Sequence, residues 1–382
     1  MNIIPPDRFR QAAKKLKGII LPTPLLLNTT LSEEYNCNIY LKREDLQSVR
    51  SYKIRGAYHK MSSLQPEQSS KGIVCASAGN HSQGVALACQ LLKIQGTIYM
   101  PNTTPQQKIE KVKKFGREFI QIILTGDTFD DAYDAAILYA DQEEKAFIHP
   151  FDDHKIIEGQ GTVGIEILED AAEDPDYLFM AIGGGGLAAG VGSYFRSMSP
   201  STHIVGVEPE GAPAMYDSLK MDKVIELGKI DPFVDGAAVK KVGSKTFEIC
   251  KEVLDDMILV LEGKVCSTIL QMYNEEAIVV EPAGALSIAA LDHYREEIIG
   301  KNVVCVVSGG NNDMTRTEEI RERSLLYEGL KHYFIIRFPQ RSGALREFLE
   351  VLGPNDDIAH FEYTKKTSRT SGPAVVGIEL KQ

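Results

Sequence analysis

The sequence predicts an α/β protein built on open, mostly parallel β-sheets, followed by a small α+β unit at the C-terminus. Three observations support this prediction. Apolar runs of strand length alternate with helical patterns as far as about residue 320, which is typical of parallel sheets covered by helices on both faces. Several of these runs are followed by loops rich in glycine, serine and asparagine. Beyond residue 320 the order changes to two helices and three strands.

The predicted strands of the first part are short apolar runs, and helical patterns lie between them. The strands are Ile39–Leu41, Gly72–Cys75, Gly96–Met100, Phe119–Leu124, Ala146–His149, Tyr177–Ile182, His203–Val207, Met257–Val260 and Val303–Val307. The clearest helices are Ser82–Leu92, Asp130–Glu144, Gln160–Ala172 and Gly284–Glu297.

The C-terminal part begins with a charged helix, TEEIRERSLLYEGLKH. A strand Tyr333–Phe338, a short helix near Ala344–Leu352 and strands near Ile358–Thr364 and Ala374–Leu380 follow it. We therefore place a domain boundary near residue 322. Residues 1–322 are expected to form one domain, with a small subdomain at about 54–150 and a large one from 1–53 and 151–322, and residues 323–382 a second domain.

Composition and charge narrow the classes of function. The chain of 382 residues has a formal net charge of −11, so we expect neither nucleic acid nor an anionic membrane as its partner, because both attract clustered Lys and Arg. The run Tyr177–Phe195 carries no charge, but its glycines predict a strand entering a tight loop and not a membrane span. We find no secretory signal. The six cysteines are scattered, as in a reduced, cytoplasmic protein.

Four consecutive glycines, Gly183–Gly186, follow a predicted strand and precede a helix. Backbone N–H groups at the N-terminus of a helix bind anions, and glycine admits a phosphate because it has no Cβ. We therefore predict a phosphate site in this loop. The pattern Gly184-x-Gly186-x-x-Ala189, with Glu208 about twenty residues later, also fits the dinucleotide fingerprint. The loop by itself leaves a nicotinamide-dependent dehydrogenase open.

Lys53 favours a different cofactor. It lies in Ser51-Tyr52-Lys53-Ile54-Arg55-Gly56-Ala57, which follows the strand Ile39–Leu41 and a charged turn. A lysine that forms a Schiff base needs a fixed, partly desolvated position and an adjacent ring for the cofactor to rest on. We interpret Lys53 as such a lysine.

Two further loops follow strands in the same manner, Ser77-Ala78-Gly79-Asn80-His81 and Ser308-Gly309-Gly310-Asn311-Asn312. The first precedes a helix and suits a substrate carboxylate, although the same residues also make an ordinary helix cap. Open parallel sheets bind ligands at the carboxyl ends of their strands, so we expect these loops to share one site with Lys53 and the glycine loop.

The segments SYKIRGA, SAGNHSQG, GGGGLAAG, VEPAGA and SGGNND, in this order, resemble the fold-type-II pyridoxal-phosphate enzymes and among them the biosynthetic threonine dehydratases. The resemblance covers essentially the whole chain. It implies that Lys53 and Ser77 are catalytic, with Lys53 bound covalently to pyridoxal phosphate. It implies further cofactor contacts from Tyr52, Asn80, Gly183, Gly184, Gly185, Gly186, Leu187 and Ser308. The substrate carboxylate would be held by Ser77, Ala78, Gly79, Asn80 and His81, and Glu281 would lie near the cofactor.

The resemblance implies dehydration and deamination of L-threonine to 2-oxobutanoate and ammonia, the first committed step of isoleucine biosynthesis. Lys53 would take the Cα proton. The neutral Ser308 would leave the pyridine nitrogen unprotonated, and the cofactor phosphate would protonate the leaving hydroxyl. A serine-directed β-elimination enzyme and a serine racemase stay open as alternatives. Related racemases place a serine on the face opposite the lysine, where this chain has Ala78, which has no proton to give.

The resemblance also concerns metal binding. Related racemases and catabolic enzymes bind a divalent cation, for which Glu208 and the Ala212 carbonyl could supply ligands. The position of the third acidic ligand is Ala214, so we expect no metal.

The tail, His332–Gln382, resembles the ACT-like regulatory domain of the same family through FPQRSGALREF. The resemblance implies isoleucine as a feedback inhibitor, valine as its opponent, and a homo-oligomer (a dimer or tetramer). Arg341 and Gly343 are the candidate effector residues. A complete unit has the order β-α-β-β-α-β, and the sequence contains only its first four elements. Two alternatives stay open. In the first, the tail is a structural or dimerising appendage; in the second, the whole protein is a non-catalytic amino-acid sensor.

Overall fold

The structure, a computed structural model, describes residues 2–363 and 370–381. Thr364, the expected end of one tail strand, lies outside these ranges. The helices are α1 Pro6–Leu16, α2 Thr29–Tyr35, α3 Lys53–Met61, α4 Pro66–Lys71, α5 Asn80–Leu92, α6 Gln106–Gly116, α7 Phe129–Gln142, α8 His154–Asp170, α9 Gly186–Met198, α10 Ala214–Lys220, α11 Ser244–Val253, α12 Glu262–Glu276, α13 Pro282–Ala289, α14 Thr317–Tyr327 and α15 Ala344–Leu349. The strands are β1 Leu25–Leu27, β2 Asn38–Arg43, β3 Ile73–Ala76, β4 Gly96–Met100, β5 Ile120–Leu124, β6 Ala146–Phe147, β7 Tyr177–Ala181, β8 His203–Pro209, β9 Asp256–Val260, β10 Asn302–Val307, β11 Lys331–Pro339, β12 Asp357–Tyr363 and β13 Ser371–Glu379.

A six-stranded sheet forms the centre of the larger part, in the order β1-β2-β10-β7-β8-β9. All its pairings are parallel except that of β1 with β2. Successive residues of β10 alternate between two apolar cores: Val303 and Cys305 face one, and Val304 faces the other. Burial on both faces explains why this strand has an unbroken apolar sequence.

A second sheet is formed by residues 73 to 147, in the order β5-β4-β3-β6 with every pairing parallel. α5 packs on β3 and β4 from one side, and α7 packs on the same strands from the other. The expected α/β class with two mostly parallel sheets is therefore confirmed.

The C-terminal strands form a separate antiparallel sheet in the order β11-β13-β12. One face of this sheet packs on α15 through a small core that includes Phe338, Ala374 and Val376. This is the α+β arrangement expected for the tail.

Several predicted boundaries were wrong. The helix expected from Gln160 already begins at His154, because the Asp153 side chain accepts the N–H groups of Lys155 and Ile156 and so caps α8. The strand expected to reach His149 ends at Phe147. The helix expected over Gly284–Glu297 consists of α13 and a short 3₁₀ turn, Ala290–Tyr294.

The boundary expected at residue 322 falls inside α14, which contacts both α12 and β11. The division into domains and subdomains stays a prediction. The charge-free run 177–195 forms β7, a loop and most of α9. Within residues 2–363 and 370–381, no helix is long and apolar enough to cross a membrane.

Candidate active site

Three of the predicted loops meet at the carboxyl ends of β2, β10 and β7. β10 lies between the other two strands in the sheet. Ser51 and Gly309 form an isolated β-bridge, and the N–H of Tyr52 donates to the Ser308 carbonyl at 3.3 Å. The structure therefore joins the lysine segment directly to the Ser308 loop, as the position of loops in parallel sheets predicts.

Lys53 is the first residue of α3 and is partly buried. Its Nζ donates to the Pro150 carbonyl at 3.1 Å and lies 5.1 Å from the centroid of the Tyr52 ring. α5 approaches closely at Gly84, where a Cβ would lie 3.0 Å from the carbonyl carbon of Lys53. The lysine thus has the fixed position, partial desolvation and aromatic neighbour that its expected chemistry requires.

The glycine loop is shaped by a close neighbour, Phe151. A Cβ on Gly184 would lie 2.2 Å from carbons of the Phe151 ring, and one on Gly183 would lie 2.9 Å from the backbone of Ala237. Gly185 has a φ of +89° and stands at the N-cap of α9, where no side chain caps the helix. Leu187, the second residue of α9, is buried. This helix N-terminus can therefore present its N–H groups to an anion.

The second helix N-terminus of the site belongs to α5, which begins at Asn80. The N–H of Gly79 donates to Ser77 Oγ at 3.1 Å, and no side chain caps this helix. Ala78 lies in the same turn and is partly buried. The side chain of His81 points away from the turn: it is buried and hydrogen-bonded to the Ile148 carbonyl at 2.8 Å. Only the backbone of His81 can therefore contribute to a substrate site.

His81 is neutral at physiological pH. Burial, followed by the nearby charge of Lys53, lowers the pKa of its imidazole to about 3. Since Nε2 carries the proton donated to the Ile148 carbonyl, Nδ1 is left as a buried acceptor without a partner in the described part of the chain.

Asn80 is the centre of a hydrogen-bonded chain. Its Nδ2 donates to Glu281 Oε1 at 2.6 Å, and its Oδ1 accepts from Asn311 Nδ2 at 2.7 Å. Glu281 is buried at the N-cap of α13. These contacts bring together residues from three of the predicted motifs.

Ser308 is buried beside the lysine segment, with 3% of its surface exposed. Its backbone carbonyl is used by Tyr52, as described above. Its hydroxyl provides one donor and two acceptor positions for hydrogen bonding.

Glu208 is not available to a ligand. Its two carboxylate oxygens accept the N–H groups of Met215 and Tyr216, each at 2.8 Å, at the start of α10. Burial raises the pKa of this carboxyl to about 8. Because the residue is fully buried and both its carboxylate oxygens accept backbone N–H groups of α10, Glu208 is not placed to hold the ribose that a dinucleotide site requires. In the described part of the chain, no three or more acidic, Cys or His residues form a group that could hold a metal ion.

The sequence analysis missed the segment His149–Asp152, which follows β6. His149 Nδ1 accepts the N–H groups of Phe151 and Asp152, and burial lowers the pKa of its imidazole to about 4. The Asp152 carboxylate accepts N–H groups at the start of α11, among them that of Thr246. These contacts fix the Phe151 ring against the glycine loop. The segment His149–Asp152 follows the end of a strand, and this position is the signal by which the sequence analysis could have found it.

Thr246 links α11 to the glycine loop, because its Oγ1 donates to the Gly184 carbonyl at 2.6 Å. Asp152 in turn caps α11, so the two contacts connect the glycine loop with the segment after β6. Nothing in the local sequence of α11 marks this role.

The two tail candidates lie apart from this site, in the turn between β11 and α15. Arg341 forms two hydrogen bonds with Glu347, at 2.7 and 2.6 Å. Gly343 is the N-cap of α15, with a φ of +87°. Both line a surface cavity of about 400 Å³ with Gln340, Ser342 and Tyr363.

The residues present fit pyridoxal phosphate. The glycine loop provides uncapped N–H groups at the N-terminus of α9, as an anionic phosphate requires. Ser308, a buried residue, offers a hydroxyl beside the lysine segment, and Lys53 offers an amine beside an aromatic ring. Such a set of phosphate cradle, polar contact and lysine is what this cofactor needs.

Comparison with known proteins agrees with this geometry. Residues 16–309 match the family model for pyridoxal-phosphate dependent enzymes, and residues 322–382 match the C-terminal regulatory domain of threonine dehydratase. The chain is similar to the biosynthetic L-threonine dehydratase IlvA of Halalkalibacterium halodurans, with 62% identity over 97% of this chain and 89% of that protein. For the protein of the same name from Bacillus subtilis the identity is 59%, over 100% of this chain and 90% of that protein.

Solved structures give the same answer. The processed form of threonine deaminase isoform 2 from Solanum lycopersicum has a TM-score of 0.79 and 40% identity, over 84% of this chain and 94% of that one. Maize serine racemase has a TM-score of 0.78 and 29% identity, over 86% of this chain and 99% of that one. The chain therefore belongs to the pyridoxal-phosphate dependent enzymes, and within them to the biosynthetic threonine dehydratases.

Proposed function

We propose that this protein dehydrates and deaminates L-threonine to 2-oxobutanoate and ammonia, in the synthesis of isoleucine. The observation that carries the proposal is the identity of 62% to a biosynthetic L-threonine dehydratase over 97% of this chain. The geometry supports it, because Lys53, the glycine loop and the Ser308 loop lie at one edge of the six-stranded sheet.

Each site residue has a proposed task. Lys53 Nζ holds the cofactor and is the base that accepts the substrate's Cα proton. The N–H groups of Gly183–Leu187 hold its phosphate, and the Tyr52 ring lies beside it. Ser308 Oγ holds the ring nitrogen without charging it, and one Nδ2 hydrogen of Asn80 contacts the phenolic oxygen. When bound, the cofactor supplies an electron sink that acidifies the Cα proton.

The substrate is held by the turn that precedes α5. Its carboxylate is proposed to accept N–H groups of residues 78–81 and the hydroxyl of Ser77, since anions bind at uncapped helix N-termini. Desolvation of the site by Phe151 and Tyr52 strengthens these contacts. Serine is the competing substrate of the same chemistry.

Racemisation is the second candidate, favoured by the likeness to maize serine racemase. It requires a proton donor on the face opposite Lys53. By the family resemblance the matching position in this chain is Ala78, whose methyl group donates no proton. We therefore expect elimination to be much faster than racemisation.

The tail supports regulation by an amino acid, since residues 322–382 match a regulatory domain. We propose that isoleucine inhibits the enzyme and that valine counteracts this inhibition. Both would bind near Arg341 and Gly343 in an ACT-like domain of residues 323–382. We also propose a homo-oligomer, a dimer or tetramer. The six cysteines are buried and unpaired, which supports a cytoplasmic location.

The activity is tested with the purified protein and L-threonine, L-serine and D-serine. We expect 2-oxobutanoate from L-threonine, slower pyruvate release from L-serine, and a loss of at least about a thousandfold in kcat for Lys53→Ala. Lys60→Ala is the control, because Lys60 lies on the same helix but pairs with Asp153. Full turnover by Lys53→Ala, or faster racemisation than elimination in the wild type, contradicts the proposal.

A further inference from the structure

The hydrogen-bonded chain Glu281–Asn80–Asn311 crosses the candidate site, and of its three members only Asn80 has a task in the reaction proposed above. Asn80 begins α5, which packs on the four-stranded sheet. Glu281 and Asn311 belong to segments at the edge of the six-stranded sheet, before α13 and after β10. The hydrogen bonds of Asn80 to both residues therefore connect the two sheets at the site.

The orientation of the Asn80 amide is determined by its partners. Asn311 Nδ2 donates to the Val49 carbonyl at 2.8 Å and to Asn80 Oδ1 at 2.7 Å, so both of its hydrogens are used. Asn80 Oδ1 is thereby fixed as an acceptor. Its Nδ2 must then face Glu281, whose carboxylate can only accept. One Nδ2 hydrogen of Asn80 is left for a ligand.

Glu281 is held in its place by the surrounding backbone. Its N–H donates to the Gly309 carbonyl at 3.2 Å. A Cβ on Gly309 would lie 2.2 Å from Glu281 Oε1, so only a glycine admits the carboxylate here. Burial, with the charge of Asp235, raises the pKa of Glu281 to about 7, and hydrogen bonds from Asn80 and the Asn311 backbone, with the charge of Lys108, oppose this rise. A buried carboxylate without partners is costly, and the hydrogen bond from Asn80 is the side-chain contact that offsets this cost.

We propose that Glu281 is a positioning residue that orients the Asn80 amide, so that one Nδ2 hydrogen is presented to the cofactor's phenolic oxygen and the two sheets are joined across the site. The inference rests on the proposed function, because that function assigns Asn80 to the cofactor. It deepens the assignment by naming the residue that fixes the amide.

The test measures cofactor affinity by titrating the cofactor-free protein with pyridoxal phosphate and following the visible band. In Glu281→Ala, the amide loses its acceptor and can rotate, so we expect affinity to fall about tenfold or more and the band to shift. Glu281→Gln retains an acceptor oxygen and should stay within about threefold of the wild type.

A double-mutant cycle separates this role from a general structural one. In an Asn80→Ala background, Glu281→Ala should change the affinity by less than about twofold, because the group that it positions is gone. Glu208→Gln is the matched control: Glu208 is also buried with a raised pKa, but it bonds the backbone of α10. Its substitution should leave the band unchanged.

Additive effects of the two substitutions, or an unchanged affinity in Glu281→Ala, would overturn the inference and leave the proposed function intact. A wild-type protein that binds no pyridoxal phosphate would instead refute the proposed function. If Glu281→Ala does not fold, Glu281→Gln carries the test through its pH profile. Wild-type affinity should fall by up to about threefold, to the level of Glu281→Gln, as Glu281 becomes protonated below about pH 7, and this step should be absent in Glu281→Gln. Identical profiles would overturn the inference.

Discussion

Arg55, two residues after Lys53 on α3, is completely buried and is the residue whose loss should cost most stability. Its guanidinium donates to both oxygens of Glu44, at 2.9 and 2.7 Å, and to both oxygens of Glu166, at 2.6 and 2.7 Å. The fifth N–H donates to Thr162 Oγ1 at 3.1 Å. All five donors of the side chain are therefore used.

Substitution of Arg55 by methionine keeps a long side chain with an apolar stem but removes the charge and every hydrogen-bond donor. Glu44, which is fully buried, then has no salt-bridge partner within the part of the chain that the structure describes, whereas Glu166 retains Lys42 at 2.8 Å. Leaving one member of a buried ion pair uncompensated costs about 3–5 kcal/mol. This is a large part of the roughly 5–15 kcal/mol by which proteins are stable. Arg55→Lys keeps the charge but only three donors, and should cost about 1–3 kcal/mol.

The assay is urea unfolding at saturating pyridoxal phosphate, followed by far-UV circular dichroism, with refolding as the check for reversibility. Lys71→Met is the control, because Lys71 and Glu144 form an exposed pair and such pairs contribute at most about 1 kcal/mol. A free energy of unfolding for Arg55→Met within about 1 kcal/mol of the wild type would refute the reasoning.

Three other predictions concern the glycine loop, a buried carboxyl and the tail. Gly184→Ala places a Cβ against the Phe151 ring and should weaken pyridoxal phosphate binding at least about tenfold. Gly228→Ala is the control and should not weaken binding, because no atom lies within 4 Å of its Cβ. Equal affinities of the two variants would contradict the close packing of Gly184 on Phe151. Glu208 has a pKa raised by burial to about 8, so the folded state keeps a proton that the unfolded chain releases, and stability should fall as pH rises from about 5 to 8. Glu208→Gln should flatten that part of the stability profile, and a profile parallel to the wild type would show that Glu208 does not titrate there. Arg341→Ala should raise the isoleucine concentration for half-inhibition several-fold without changing kcat, and unchanged inhibition would exclude Arg341.

The sequence was sufficient to find the loops of the candidate site. Gly183–Gly186, Lys53 and Ser308 follow predicted strands, and the carboxyl ends of parallel strands meet at one edge of a sheet. Strand positions were also predictable, because strands buried on both faces are unbroken apolar runs, as in β10.

The residues that hold the loops of the site in place could not be predicted in the same way. Arg55 binds Glu166, and Asp152 caps α11, across long sequence separations, and neither pairing leaves a periodic pattern in the sequence. The direction of the His81 side chain could not be predicted either, because the local sequence is the same whether this side chain points into the turn or into the core. The start of α8 was predictable in principle, because Asp153 is a good N-cap.

The central claim is that Lys53 holds pyridoxal phosphate in a threonine dehydratase. The most direct measurement is borohydride reduction of the purified protein, followed by mass mapping of the labelled peptide, with a parallel assay of 2-oxobutanoate from L-threonine in the unreduced protein. We predict a single reduced adduct on Lys53, loss of turnover on reduction, and no adduct in Lys53→Ala. An adduct on another lysine with full label in Lys53→Ala, or reduction without loss of turnover, would contradict the account.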